Sequence, residues 1–136
     1  MAEVMGEDTS VEIMSTIVQL EPKKGYVAFH PEGEVLLGEC ANLVCDAVRL
    51  ACDQGAEKLL VDVSGLTGFE PPTTAPRYFF NERLAAEATS PIKVAMVCRP
   101  EFIREDHYGV MIARNRGLLC EIFASESEAL EWLLRP

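Results

Sequence analysis

One cysteine and one histidine form the only pair in this sequence with the types and spacing for covalent chemistry. Cys98 ends an apolar run and precedes Arg99-Pro100, which places its thiol near the start of a predicted helix. A helix N-terminus can lower a thiol pKa and so favour the nucleophilic thiolate. His107 lies about two helical turns further on, so contact between the two side chains is not assured. The alternative is a packed, unreactive thiol, and we expect a protein that is not an enzyme.

A second candidate is the acidic residue Asp62 and the loop that follows it. Asp62 interrupts the apolar run at 58–63, where a carboxylate needs hydrogen bonds such as those from the amides of the Ser64-Gly65 turn. The loop at 64–72 follows the carboxyl end of a predicted parallel strand, where open α/β sheets bind ligands. A plain connector is the alternative. The predicted partner- or ligand-binding residues are Ser64, Gly65, Thr67, Gly68, Glu70, Thr73, Thr74 and Arg77.

Composition argues against several classes of function. The chain has 12 Lys and Arg against 22 Asp and Glu, a formal charge of −10, which opposes nucleic acid and anionic membrane surfaces as partners. No stretch reaches the roughly 20 apolar residues of a membrane span. The five cysteines include no Cys-x-x-Cys pair, and the two histidines are far apart. We therefore expect reduced thiols, a cytoplasmic location, and neither a metal site nor a cofactor.

The elements that must position these residues alternate between strands and helices. Residues 1–10 are predicted to be a loose acidic tail, and 11–136 a single domain. Two antiparallel strands, at 11–20 and 26–29, flank a turn at 21–25. Helices follow at about 39–54, 74–88 and 100–116 and after the capping box of Ser125 and Glu128, with strands at 58–63, 92–98 and 118–123.

This order predicts an α/β fold: two N-terminal antiparallel strands, then α-β-α-β-α-β-α, giving a mixed sheet with helices packed on it. The later strands are expected to run parallel through crossover helices. The open edge of the strand at 11–20 would also admit a second copy of the chain, giving a homodimer.

Three segments resemble the STAS domain (sulphate transporter and anti-sigma factor antagonist) in its bacterial, stand-alone form. They are LLVDVSGL at 59–66, KVAMV at 93–97 and IFASESEAL at 122–130. The resemblance implies a non-enzymatic, regulatory protein-interaction module. Its partner would be an anti-sigma factor or a kinase-like regulator, bound through the loop and helix start between Ser64 and Arg77.

In the anti-sigma factor antagonist branch, a serine of an Asp-Ser-Ser-Gly motif is phosphorylated by the partner kinase. That motif falls here on Glu70-Pro71-Pro72-Thr73, so the acid is kept and prolines replace the serines. Thr73 and Thr74 offer displaced hydroxyls at a predicted helix N-terminus, where a phosphate would be favoured. These two threonines are the candidate phosphorylation sites, and a simple N-cap is the alternative.

The chain is also similar to a divergent STAS-like branch that is related to the lipid-binding CRAL-TRIO fold. The longer helix at 74–88, with Tyr78, Phe79 and Phe80, suits that branch. This likeness implies a second function, in which these aromatic side chains and the preceding loop cover a small hydrophobic, lipid-like ligand.

Overall fold

A computed structural model describes residues 18–103 and 108–136 of the chain. The predicted tail at 1–10, and the predicted strand at 11–20 apart from its last three residues, lie outside these ranges, and so does His107. In chain order the elements are β1 (Glu21–Lys23), β2 (Tyr26–Phe29), β3 (Gly33–Glu34), α1 (Leu37–Asp53), β4 (Lys58–Asp62), β5 (Leu66–Thr67), α2 (Thr74–Glu87), β6 (Lys93–Val97), α3 (Tyr108–Asn115), β7 (Leu119–Phe123) and α4 (Glu126–Leu133).

Five of the strands form one mixed sheet in the order β1-β2-β4-β6-β7. β1 and β2 are antiparallel, and all the other pairs in this sheet are parallel. The α/β class with an antiparallel N-terminal pair is therefore confirmed. β3 and β5, two residues each, form a separate parallel pair that the sequence pattern did not predict, because neither contains an apolar run.

Two predicted boundaries are wrong. The sequence pattern predicts a turn at 21–25, but residues 21–23 form β1, and the turn is Lys24-Gly25, where Gly25 has a φ of 87°. Pro22 is tolerated there because β1 is the last described strand of the sheet. The helix predicted at 100–116 is interrupted: a 3₁₀ turn at Pro100–Phe102 ends in the extended residue Ile103, and α3 covers only Tyr108–Asn115.

The sheet separates two apolar layers, because successive side chains of a strand point to opposite faces. The larger layer packs Phe29, Leu59 and Val61 against buried residues of α1 and α2. The smaller layer packs Ala28 and Leu60, with neighbours on β6, against Ala129 and Leu133 of α4. Each face of the sheet is thus covered by its own helices, α1 and α2 on one side and α4 on the other.

Candidate functional site: an apolar cavity between α1 and α2

A cavity of about 360 Å³ lies between α1 and α2, beside the carboxyl ends of β4 and β6. Its size is within the range of roughly 300 to 1,000 Å³ that is typical of small-molecule sites. Most of the wall is apolar, and four phenylalanines contribute to it: Phe69, Phe79, Phe80 and Phe102. The arrangement is therefore suited to a ligand that is itself mainly apolar.

The first turns of α1 form one wall of the cavity. The wall residues include Gly38, Cys40, Ala41 and Val44, spaced so that they share one side of the helix. The Glu39 carboxylate accepts a hydrogen bond of 2.8 Å from the backbone N–H of Leu36 and so fixes the start of the helix. Cys40 and Val44 are buried, whereas Gly38 is exposed and lies at the rim.

Arg77 of α2 ties the opposite wall together. Its guanidinium donates to the carbonyl oxygens of Pro72 and Phe102, both at 3.1 Å. These two bonds join the segment before α2 to the 3₁₀ turn after β6. The rings of Phe69 and Phe102 meet edge to face with 5.5 Å between centroids, which closes the same corner.

Asn81 is the one buried polar side chain among residues 18–103 and the described part of 108–136, and it lies in the cavity wall. Its amide nitrogen donates to the Arg77 carbonyl at 2.9 Å. Its carbonyl oxygen accepts no hydrogen bond from any described residue. Asn81 therefore places an amide group in a wall that is otherwise mainly apolar, at a position where a ligand could form a hydrogen bond.

Two buried thiols, Cys40 and Cys98, also line the cavity. Burial raises the pKa of Cys98 to about 12, although the nearby positive charge of Arg77 acts to lower it. Burial likewise raises the pKa of Cys40 to about 11. Both thiols are protonated near neutral pH, the reverse of what a thiolate nucleophile needs.

The loop residues predicted as a site contact neighbouring segments of the fold and do not line the cavity. Ser64 donates to Asp62 from its backbone N–H and its hydroxyl, at 2.9 and 2.6 Å, so the turn holds the carboxylate as expected. Thr67 pairs with Glu34 across β5 and β3. Gly65 and Gly68 pack tightly against residues 31–35, and Gly68 has a φ of 101°.

The remaining predicted residues lie on or before α2. Glu70, Thr73 and Thr74 are exposed, and the Thr73 side chain makes no capping hydrogen bond. Of the eight residues predicted for the loop and the helix start, Arg77 alone lines the cavity.

The aromatic run at the start of α2 divides between two environments. Phe79 and Phe80 line the cavity, as the ligand-binding hypothesis requires. Tyr78 faces away: its hydroxyl lies 2.8 Å from an Arg116 guanidinium nitrogen and 3.5 Å from Glu82. Sequence reasoning did not identify the α1 wall or Phe102, because both reach the cavity only through the packing of separate elements.

Neither a comparison with protein-family models nor one with curated proteins finds a match for this chain. None of the described helices is long and apolar enough to cross a membrane.

A separate group of side chains able to hold a metal ion lies on the other face of the sheet. His30, Asp62 and Glu126 each bring one ligand atom to a point where all three atoms are within 4.8 Å of one another. None of the three lines the cavity.

Proposed function

We propose that the protein is a non-enzymatic binding module for a small, mainly apolar molecule held in the cavity between α1 and α2. The observation that carries this proposal is the cavity itself, with its phenylalanine-rich wall. A well-formed apolar pocket with a few polar groups is the usual form of a small-molecule site. The raised pKa values of Cys40 and Cys98 argue against thiol chemistry in the same space.

The wall offers the ligand a polar contact as well as apolar surface, because Asn81 is among its residues. A hydroxyl or an amide N–H of the ligand could donate a hydrogen bond to the carbonyl oxygen of Asn81. Apolar rings or chains would contact Phe79 and Phe80. The ligand class is therefore a compact, mainly apolar molecule that carries a hydrogen-bonding group at one end.

The test uses N-phenylnaphthylamine, an apolar fluorophore with one N–H. We expect its fluorescence to rise on binding and the protein's Tm to rise with its concentration, because a ligand of the native state stabilises it by mass action. Gly38→Leu places a side chain at the cavity rim, where a Cβ meets nothing within 4 Å. This variant should fold normally and bind the fluorophore at least about tenfold more weakly, a loss of about 1.4 kcal/mol.

Two controls accompany this variant. Gly38→Ala adds only a methyl group at the same position and should bind as the wild type does. Ala86→Leu places the same leucine side chain at an exposed position of α2 outside the cavity. Equal binding by Gly38→Leu and the wild type would mean that the fluorophore binds elsewhere and would refute the proposal.

A regulatory, STAS-type interaction module is the second candidate. It is supported by the exposure of Glu70, Thr73 and Thr74 at the start of α2, where a modifying enzyme or a partner protein could reach them. Intact-mass measurement of the protein isolated from its own cells tests it directly. A mass increase of one phosphate, lost in a variant with both threonines replaced by valine, would support it, and an unmodified chain in every growth state would remove the phosphorylation switch.

A further inference from the structure

Strand alternation places His30 and Asp62 side by side on the face that α4 covers. Ala28 and Leu60 are cross-strand partners, as are Phe29 and Val61, so the next residue pair along β2 and β4 is His30 with Asp62. Ala28 and Leu60 belong to the apolar layer beneath α4. Residues two positions further along a strand share its face, so both polar side chains end that layer at the carboxyl edge of the sheet.

Glu126 completes the group from a third element. It is the first residue of α4, the helix that crosses this face. Its Oε2 lies 3.0 Å from Nε2 of His30. Two ligands of a tetrahedral zinc ion, each about 2.0 to 2.1 Å from the metal, are about 3.3 Å apart. The pair is thus already near the separation that shared coordination requires.

Outer contacts hold two of these side chains in position. Glu21 lies 3.5 Å from Nδ1 of His30, on the side of the ring away from Glu126. A carboxylate behind the distal nitrogen of a histidine is the usual support of a metal-ligating imidazole. Both hydrogen bonds from Ser64 go to Oδ1 of Asp62, which leaves Oδ2 for another partner.

The charge balance of the group also favours a cation. Within the described residues, Asp62 forms no ion pair, and the one ion pair of Glu126 is with His30. Glu21 adds a third carboxylate, and among the described residues its only lysine or arginine partner is Lys23, at 3.9 Å. A simple His30–Glu126 ion pair would leave Asp62 without a counter-charge, whereas a divalent ion would neutralise both carboxylates.

We propose that His30, Asp62 and Glu126 bind a divalent transition-metal ion, and that Zn²⁺ suits this ligand set best. One imidazole with two carboxylates matches the nitrogen and oxygen ligands of zinc, while Mg²⁺ prefers oxygen ligands alone. Three protein ligands at a half-exposed position leave the fourth coordination position open to water. The site lies across the sheet from the apolar cavity, so this proposal does not depend on the proposed function.

The test is calorimetric titration of Zn²⁺ into the full-length, metal-free, reduced protein. We expect one ion per chain, and at least about tenfold weaker binding in His30→Gln and in Asp62→Asn. Asp62→Asn keeps an oxygen that accepts the Ser64 hydrogen bonds, so it removes the charge while preserving the turn. Glu21→Gln should weaken binding by about tenfold through the orientation of the imidazole.

His107→Gln is the matched control, since it replaces the other histidine of the chain. It should bind Zn²⁺ as the wild type does. Because the chain also has five thiols, Co²⁺ is used as a spectroscopic probe, and a site of His30, Asp62 and Glu126 gives no sulphur-to-metal charge-transfer band. Absence of Zn²⁺ binding, unchanged affinity in both His30→Gln and Asp62→Asn, or a thiolate band with Co²⁺ would each overturn the proposal. Circular dichroism of every variant checks that the fold is retained.

Discussion

Thiol labelling at Cys98 measures how far the fold suppresses this side chain as a nucleophile. Its pKa rises from the ordinary value of 9.0 to about 12, chiefly because of burial. At pH 8 the thiolate fraction therefore falls from about 10% to about 0.01%, a factor of about a thousand. Alkylation depends on the thiolate, so we expect Cys98 in the native protein to react at least about a thousandfold more slowly than in the unfolded chain.

The assay is iodoacetamide labelling at pH 8, with each cysteine peptide quantified by mass spectrometry. The same peptide from the urea-unfolded protein is the matched reference, because it has the same local sequence without burial. Cys120, whose pKa is also raised to about 12, serves as a second buried thiol that is not in the cavity wall. Native labelling of Cys98 within tenfold of the unfolded rate would refute this reasoning and would restore the thiol-based enzyme as a candidate.

Three further predictions concern stability. Leu133→Ala should lower the free energy of unfolding in urea by about 3 to 4 kcal/mol, because Leu133 is fully buried. Leu134 is 44% exposed, so Leu134→Ala should lower it by about 1 kcal/mol. Equal losses in the two variants would contradict the docking of α4 on the sheet. Gly68→Ala should lower the Tm, because its φ is 101° and its Cβ would lie 2.7 Å from the Val35 carbonyl oxygen, while Gly38→Ala should raise it through helix propensity. Between about pH 9 and pH 12 the thiols ionise in the unfolded chain but stay protonated in the fold, so ionisation favours unfolding over this range. The free energy of unfolding should therefore be unaffected by the thiols below about pH 9 and should fall as the pH rises to about 12. A flat profile across that range would count against buried thiols.

Much of the fold could be predicted because the apolar patterns are regular. The helix predicted at 39–54 is α1 (Leu37–Asp53), and the buried strands predicted at 58–63 and 92–98 are β4 and β6 to within a residue at each end. The failure at 100–116 has a tertiary cause. Phe102 packs on Phe69 and lies beneath the Arg99 guanidinium, contacts with distant or non-helical neighbours that periodicity does not record.

The candidate sites could be predicted only in part. Phe79 and Phe80 were identified as cavity-covering residues because adjacent aromatic side chains on a helix are a visible signal. Asp62 stands out as an acid in an apolar run, but that pattern predicts only the turn that holds its carboxylate. Finding His30 and Glu126 beside it requires the β2–β4 register and the position of α4, which are set by tertiary pairing and not by local pattern.

The alternation along β2 and β4 also constrains how this protein can change over evolutionary time. Single substitutions can alter either face alone, because Phe29 and Val61 face the larger layer while His30 and Asp62 end the smaller one. An insertion or deletion of one residue within β4 would exchange the faces of every residue beyond it. Asp62 would then point towards the cavity and Val63 towards His30, and both groups would be lost together. Divergent copies of this chain should therefore vary in length at their loops and keep these two strands free of gaps.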